Sequence, residues 1–357
     1  KETVTGTAQQ NWPPVLLPLC CKAKGMKILM DNRQLYKDLS EKVGLGNSEH
    51  LHDVWRLLCT DDEARVANML PGTVAEIAEK AGKTPKETEI ILVSLFKKGA
   101  AFRSDRGDGM RYKLAKNIIQ LHDASLLWAG ATDKFYDAWK MVMDEEFSGF
   151  LKSMPDSFQM PSFMRVIPIN ETIEARNEVL TFEECEKMLG GSKKIAVVKC
   201  PCRLSQKNCD SPVEACIQIN MGAEYVIDRG HGRAITMDEA LAIIREARNA
   251  GLVQMTENRS TGNAICNCCS CCCEMFRLIE HSGKKWILSP SRYQATVGDG
   301  CSACSACINI CPVKAVSVDE KAEINADLCM GCGLCATVCP EDVITLEVVR
   351  PEGHIPG

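Results

Sequence analysis

Two cysteine runs dominate the C-terminal part of the chain: Cys301-x2-Cys304-x2-Cys307-x3-Cys311-Pro312 and, 28 residues on at every position, Cys329-x2-Cys332-x2-Cys335-x3-Cys339-Pro340. Three cysteines at this spacing let one tight loop present three thiolates to one face of a [4Fe–4S] cube, while the fourth ligand comes from elsewhere in the fold. Zinc competes for thiolates, but it prefers closed tetrahedral sites built from two separated CxxC pairs. The chain holds 22 cysteines in 357 residues. A disulfide scaffold is excluded, because such scaffolds are short with dispersed cysteines, and Cys271-Cys272-Cys273 cannot pair locally without strain.

Residues 299 to about 347 resemble bacterial two-cluster ferredoxins. In that family the fourth cysteine of each run ligates the other cluster. The resemblance therefore implies one cluster on Cys301, Cys304, Cys307 and Cys339 and another on Cys329, Cys332, Cys335 and Cys311. One departure is that Gly331 and Gly333 of the second run are replaced by Ala303 and Ser305 in the first, which makes the first loop stiffer. Residues 295–357 carry nine acids against Lys314, Lys321 and Arg350, a formal −6, while the whole chain is only −5. Such a field steers a positively charged docking face.

A second constellation lies upstream: Cys200-Pro201-Cys202-Arg203, Cys209, Cys216, and the run Cys266-Asn267-Cys268-Cys269-Ser270-Cys271-Cys272-Cys273. These ten thiols are too many for one cube. Cys266, Cys269 and Cys272 repeat the x2, x2 spacing, with Cys268 and Cys271 an offset pair, and adjacent side chains point apart. Two clusters sharing the run are the preferred arrangement, with Cys200, Cys202, Cys209 and Cys216 among the ligands and the eighth drawn from Cys268, Cys271 or Cys273. The alternative is one cluster with spare thiols. Arg203 either donates to a thiolate or inorganic sulfur, or forms an ordinary surface ion pair.

The expected fold class is α+β multidomain. Residues 1–50 read as an arm, since periodicity begins only after Met30. Thr60, Thr73 and Thr84 are each followed three residues later by Glu63, Glu76 and Glu87, the capping-box spacing, with Pro85 at a first helical position and Gly82 and Gly99 at C-caps. A hairpin around Asp105 to Gly109 follows. Residues 51–116 thus resemble a winged helix-turn-helix, whose apolar positions include Ile77, Ile90, Leu92, Leu95 and Phe96. Residues 117–180 read as a helical and then proline-marked extended linker. Residues 181–290 form a cysteine-rich α/β domain opened by a box at Thr181 and Glu184, with another at Thr236 and Glu239, and 291–357 the ferredoxin-like domain. Cys59 and Cys185 read as core residues.

The whole arrangement resembles multidomain iron–sulfur proteins of anaerobes, in which a winged helix precedes a CPCR and CNCC-x-CCC segment and a two-cluster ferredoxin. The matching stretches are Arg165 to Pro168, Cys200 to Arg203 and Ile265 to Cys273. The resemblance covers roughly residues 50–350 and implies low-potential electron transfer in an oxygen-free cytoplasm, but fixes neither donor nor acceptor; the preferred reading is an electron-transfer subunit of a hetero-complex with a flavoprotein or reductase partner. No nucleotide or flavin fingerprint is present, and no apolar stretch approaches a membrane span. Two other functions compete. A redox-responsive DNA-binding regulator is weakened by Glu87 and Glu89 on the would-be recognition helix and by a balance of only +2 over residues 51–116, although Arg103, Arg106 and Arg111 lie on the wing. A catalytic reductase would need an open-site cluster in the middle domain.

Overall fold

The computed structural model describes residues 32–105, 107, 109–158, 160–173, 184–260 and 262–356. Its first unit opens with α1 (Asn32–Lys42), α2 (Glu49–Leu58) and α3 (Asp61–Asn68), then β1 (Gly72–Thr73), α4 (Val74–Ala81), α5 (Pro85–Lys97), β2 (Ala101–Asp105) and β3 (Met110–Leu114). Reciprocal capping boxes start α3, α4 and α5 at Thr60, Thr73 and Thr84, each satisfying orphan amides of the first turn. The three strands form an antiparallel sheet in the order β1-β3-β2. Two expectations need correction. Residues 32–42 are not an arm, because Leu35, Tyr36 and Leu39 bury one face of α1 in the core. Ile90 is 63% exposed, since α5 buries Leu92, Leu95 and Phe96 and points Ile90 outward.

Helices α6 (Ile118–Ser125) and α7 (Asp133–Met141), a π-helical turn at Val142–Phe147 and α8 (Ser148–Ser153) continue the same core. Trp139, Phe135 and Phe147 are buried there. The chain beyond Pro155 is more than a linker: β4 (Met164–Val166) enters the middle sheet, where Arg165 and Val166 are fully buried.

Among the described residues that sheet has seven strands. Besides β4 it contains β5 (Ile195–Lys199), β6 (Glu214–Ile219), β7 (Gly232–Ala234), β8 (Val253–Glu257), β9 (Ala264–Cys268) and β10 (Leu288–Ser289), in the order β10-β4-β8-β9-β6-β5-β7. Only the β10–β4 pair is parallel. Helices α9 (Cys185–Gly190), α10 (Pro201–Gln206), α11 (Met221–Arg229), α12 (Met237–Asn249) and α13 (Glu274–Ser282) accompany it. Strand alternation sorts its faces. Ile217, Ile219 and Ile265 pack with Ala240 and Ile244 of α12 and with Cys185 and Leu189 of α9. The intervening Cys216, Cys266 and Cys268 point to the opposite face. The expected box at Thr181 lies outside the described residues, whereas Thr236 accepts from the Glu239 amide at the start of α12.

In the C-terminal module, β11 (Tyr293–Val297) pairs antiparallel with β14 (Ile344–Val348), and β12 (Val316–Val318) pairs with β13 (Ala322–Ile324). Two short helices, α14 (Ala306–Ile310) and α15 (Leu334–Thr337), follow the two cysteine loops. Among the described residues no helix is long and apolar enough to cross a membrane.

The first unit docks on the middle domain through α11. The Arg229 guanidinium donates to the carbonyls of Phe96 (2.9 Å) and Ala101 (2.9 Å) and lies over the rings of Phe96, Phe102 and Tyr225. It thereby adds a donor to a carbonyl in the last turn of α5 that also accepts from Gly99 N–H. The Tyr225 hydroxyl donates to the Arg103 carbonyl at 2.9 Å.

Candidate metal centres

Two cavities flank the C-terminal module. One is lined by Cys301, Cys304, Cys307 and Cys339; the other by Cys329, Cys332, Cys335 and Cys311. In each, three thiols of one loop meet the last cysteine of the other run. Backbone amides point at sulfur in both: Ala322 N–H donates to Cys301 Sγ at 3.4 Å and Ala315 N–H to Cys311 Sγ at 3.2 Å. Amide donors from Ala322 and Ala303 lower the Cys301 thiol, while burial pushes Cys332 up to about 12 and Cys335 higher still.

The loops share one backbone path. Ala303 and Ser305 adopt φ of +54° and +64°, and Gly331 and Gly333 adopt +63° and +89°. The two settings differ. A Cβ at Gly331 would sit 2.1 Å from the Tyr293 carbonyl oxygen, and one at Gly333 would sit 2.5 Å from Thr172 Oγ1. The second loop is pressed against the rest of the protein, with Ile169 N–H donating to the Cys332 carbonyl and Ser291 N–H to that of Met330. Cys304 of the first loop is exposed.

The ten thiols of the middle domain fall into six and four. Cys200, Cys202, Cys273, Cys268, Cys266 and Cys216 form a closed ring of neighbours, each shifting the titration of the next and the last that of the first. Cys200 and Cys273 are the N-cap residues of α10 and α13. Cys216 lies on β6, and Cys266 and Cys268 share one face of β9. Bonds from Cys202 and Cys216 hold Cys200 well below the usual thiol range, bonds from Cys202 and Cys268 do the same for Cys273, and bonds from Cys216 and Cys268 bring Cys266 to about 6. The donors Cys202, Cys216 and Cys268 are raised correspondingly.

Arg203 compensates this charge. It is not a surface ion pair: it is buried, donating to the carbonyls of Pro212 (2.9 Å) and Asn267 (2.6 Å). Burial opposes its charge, yet Cys200, Cys269, Cys216 and Cys268 hold its pKa above the ordinary value. Its Nε is buried with no hydrogen-bond partner, a donor that an inorganic sulfide would satisfy. The thiol set and this orphaned donor fit an iron–sulfur cluster.

The remaining four thiols, Cys209, Cys269, Cys271 and Cys272, lie within 4.8 Å of one another. Burial raises the Cys209 thiol, but hydrogen bonds from Ser211, Cys271 and Cys269 together outweigh it and bring the group to about 6. The x2, x2 triplet expected within the run is divided, because Cys266 belongs to a strand facing the ring, whereas Cys269 and Cys272 lie in the turn before α13. Sequence reading also missed Asn267, buried between two ring cysteines. Its Nδ2 donates to the Ala215 carbonyl at 2.7 Å and its Oδ1 accepts from Gln254 at 3.0 Å. The alternation of β9 is the signal that places it opposite the thiols. His122, which appeared isolated in sequence, is buried with Nδ1 2.9 Å from Asp123 and Nε2 3.8 Å from Glu274, the residue after Cys273.

Residues 300–343 match the model of the 4Fe-4S dicluster domain family. Neither curated proteins nor solved structures yield a significant match to the chain. The match and the middle-domain cysteine group together point to iron–sulfur electron transfer.

Proposed function

We propose that this chain is a low-potential electron carrier of an anaerobic cytoplasm, working as a subunit of a larger oxidoreductase alongside a flavoprotein or reductase partner. The observation that supports this best is the meeting of each loop's three thiols with the last cysteine of the other run. In this reading Cys301, Cys304, Cys307 and Cys339 hold one [4Fe–4S] cluster, Cys329, Cys332, Cys335 and Cys311 hold a second, and the six-thiol ring holds a further iron–sulfur cluster. Such clusters supply reversible one-electron transfer. The amides of Ala322 and Ala315 stabilise negative charge on Cys301 and Cys311, and Arg203 does so for the ring.

Residues 51–116 serve in this reading as a winged helix used for docking rather than for DNA. Arg103 pairs with Asp228 at 3.1 Å and Arg111 with Glu76 at 3.1 Å, so two wing cations are already engaged within the chain. Arg106 lies outside the described residues.

The test is Cys311→Ser in the full chain, purified without oxygen. The expected result is selective loss or conversion of the cluster on Cys329, Cys332 and Cys335, seen by electron paramagnetic resonance, with the first-loop cluster intact. Damage confined to the first-loop cluster would overturn the crossed assignment.

A further inference from the structure

The compact thiol group of the middle domain differs in size from every other cysteine set among the described residues. Cys209 Sγ lies 3.6 Å from Cys269 Sγ and 3.8 Å from Cys272 Sγ, and Cys271 Sγ lies 3.9 Å from Cys272 Sγ. A tetrahedron with metal–sulfur bonds of about 2.3 Å has edges of about 3.8 Å. A cube holds its thiolates on the outer corners of a four-iron core, which sets them roughly 6 Å apart. The eight ferredoxin-type cysteines provide an internal comparison. Neither of their sets, nor any three thiols of the ring, lies mutually within 4.8 Å, and among the described residues the group of Cys209, Cys269, Cys271 and Cys272 alone does.

The surrounding backbone is shaped for this group. Asn208 N–H donates to Cys272 Sγ at 3.4 Å, and its side-chain amide donates to the Cys271 carbonyl at 2.9 Å, holding the loop after α10 against the turn before α13. The neighbours Cys271 and Cys272 both reach the site because they lie in a turn, where successive side chains need not diverge as they do on a strand.

We propose that Cys209, Cys269, Cys271 and Cys272 bind one divalent ion, zinc or ferrous iron, in tetrahedral thiolate coordination, and that this ion is not part of a cube. All four positions around it are filled by protein, the pattern of a structural site. Binding releases the thiol protons and changes no oxidation state. The ion ties the segment carrying Cys200 and Cys202 to the segment ending in Cys273, so it fixes the spacing of the six-thiol ring. The proposal stands apart from the electron-transfer reading, and the failure of one leaves the other standing.

The test compares metal and acid-labile sulfide per chain in anaerobically purified full-length protein and in Cys271→Ser. The expected result is the loss of one metal ion per chain with sulfide unchanged, and the identity of the lost metal distinguishes zinc from iron. Loss of several irons together with sulfide, or loss of no metal, overturns the proposal. Spectroscopy on the unmutated protein decides independently of the variant's folding. Four sulfurs at about 2.3 Å with no metal neighbour at the zinc absorption edge, or a Mössbauer doublet of high-spin tetrathiolate ferrous iron, supports the site. Absence of both overturns it.

Discussion

At the residue scale, the two cysteine loops impose one backbone on unlike side chains. Left-handed φ costs an L-residue about 1–2 kcal/mol, and Ala303 and Ser305 bear that cost where Gly331 and Gly333 do not. Ala303→Gly is therefore expected to stabilise the chain by about 1 kcal/mol, read as a higher midpoint in thermal unfolding under anaerobic conditions. Gly331→Ala adds backbone strain and a Cβ 2.1 Å from a backbone carbonyl oxygen, which no side-chain rotation relieves. It is expected to cost more than about 2 kcal/mol and to release iron from the second loop first. Unchanged stability and iron content in the Gly331→Ala variant would mean that the loop packs differently. The substitution pattern was visible in the sequence. The packing that makes the two loops unequal was not, because it depends on Ser291, Tyr293 and Thr172, which lie far from the loop in sequence.

At the element scale, local signals were the legible ones. Capping boxes, proline at a helix start and glycine at a helix end depend on residues three or four apart, and α3, α4 and α5 begin where those rules place them. Partition of the middle cysteines was not legible, since it turns on where β9 ends and the turn before α13 begins. Nor was the docking of α5 on α11, which rests on single long-range bonds. One of these carries a pH dependence. His231 lies next to the dock, with Nε2 2.7 Å from the Lys97 carbonyl and Nδ1 buried without a partner. Burial lowers its pKa from 6.5 to about 4. Because the folded value is below the unfolded one, the folded state resists protonation: this contribution is intact above about pH 6.5 and declines as pH falls towards 4. His231→Gln keeps a neutral donor for the carbonyl, so its stability is expected to change less than that of the unmutated chain between pH 7 and pH 5. The comparison is made by thermal unfolding of both proteins at each pH, and parallel profiles would exclude His231 as a source of acid sensitivity.

At the scale of the whole molecule, the two cysteine loops face different surroundings. Met330 and Cys332 pack against the large core shared by the helical unit and the middle sheet, whereas Cys304 is exposed, and Glu341 lines the first-loop cavity. In the proposed relay, the second loop faces the middle domain and the first faces the partner. Glu341 lies at this exit, and residues 295–357 together carry a formal −6 in a chain of −5 overall. Opposite charge on an approaching reagent should accelerate encounter, and salt should remove the advantage, because screening shortens the reach of the field to about 10 Å at 0.1 M. Oxidation of the reduced protein by a cationic cobalt hexaammine complex is expected to slow several-fold when ionic strength rises from about 0.05 M to about 0.5 M. Oxidation by anionic ferricyanide is expected to quicken over the same range. Glu341→Gln combined with Asp342→Asn removes two charges beside the first-loop cysteines and should flatten both dependences without altering iron content. Stopped-flow bleaching of the visible absorbance gives the rates, and salt-independent rates with both oxidants would show that electrons leave by another face.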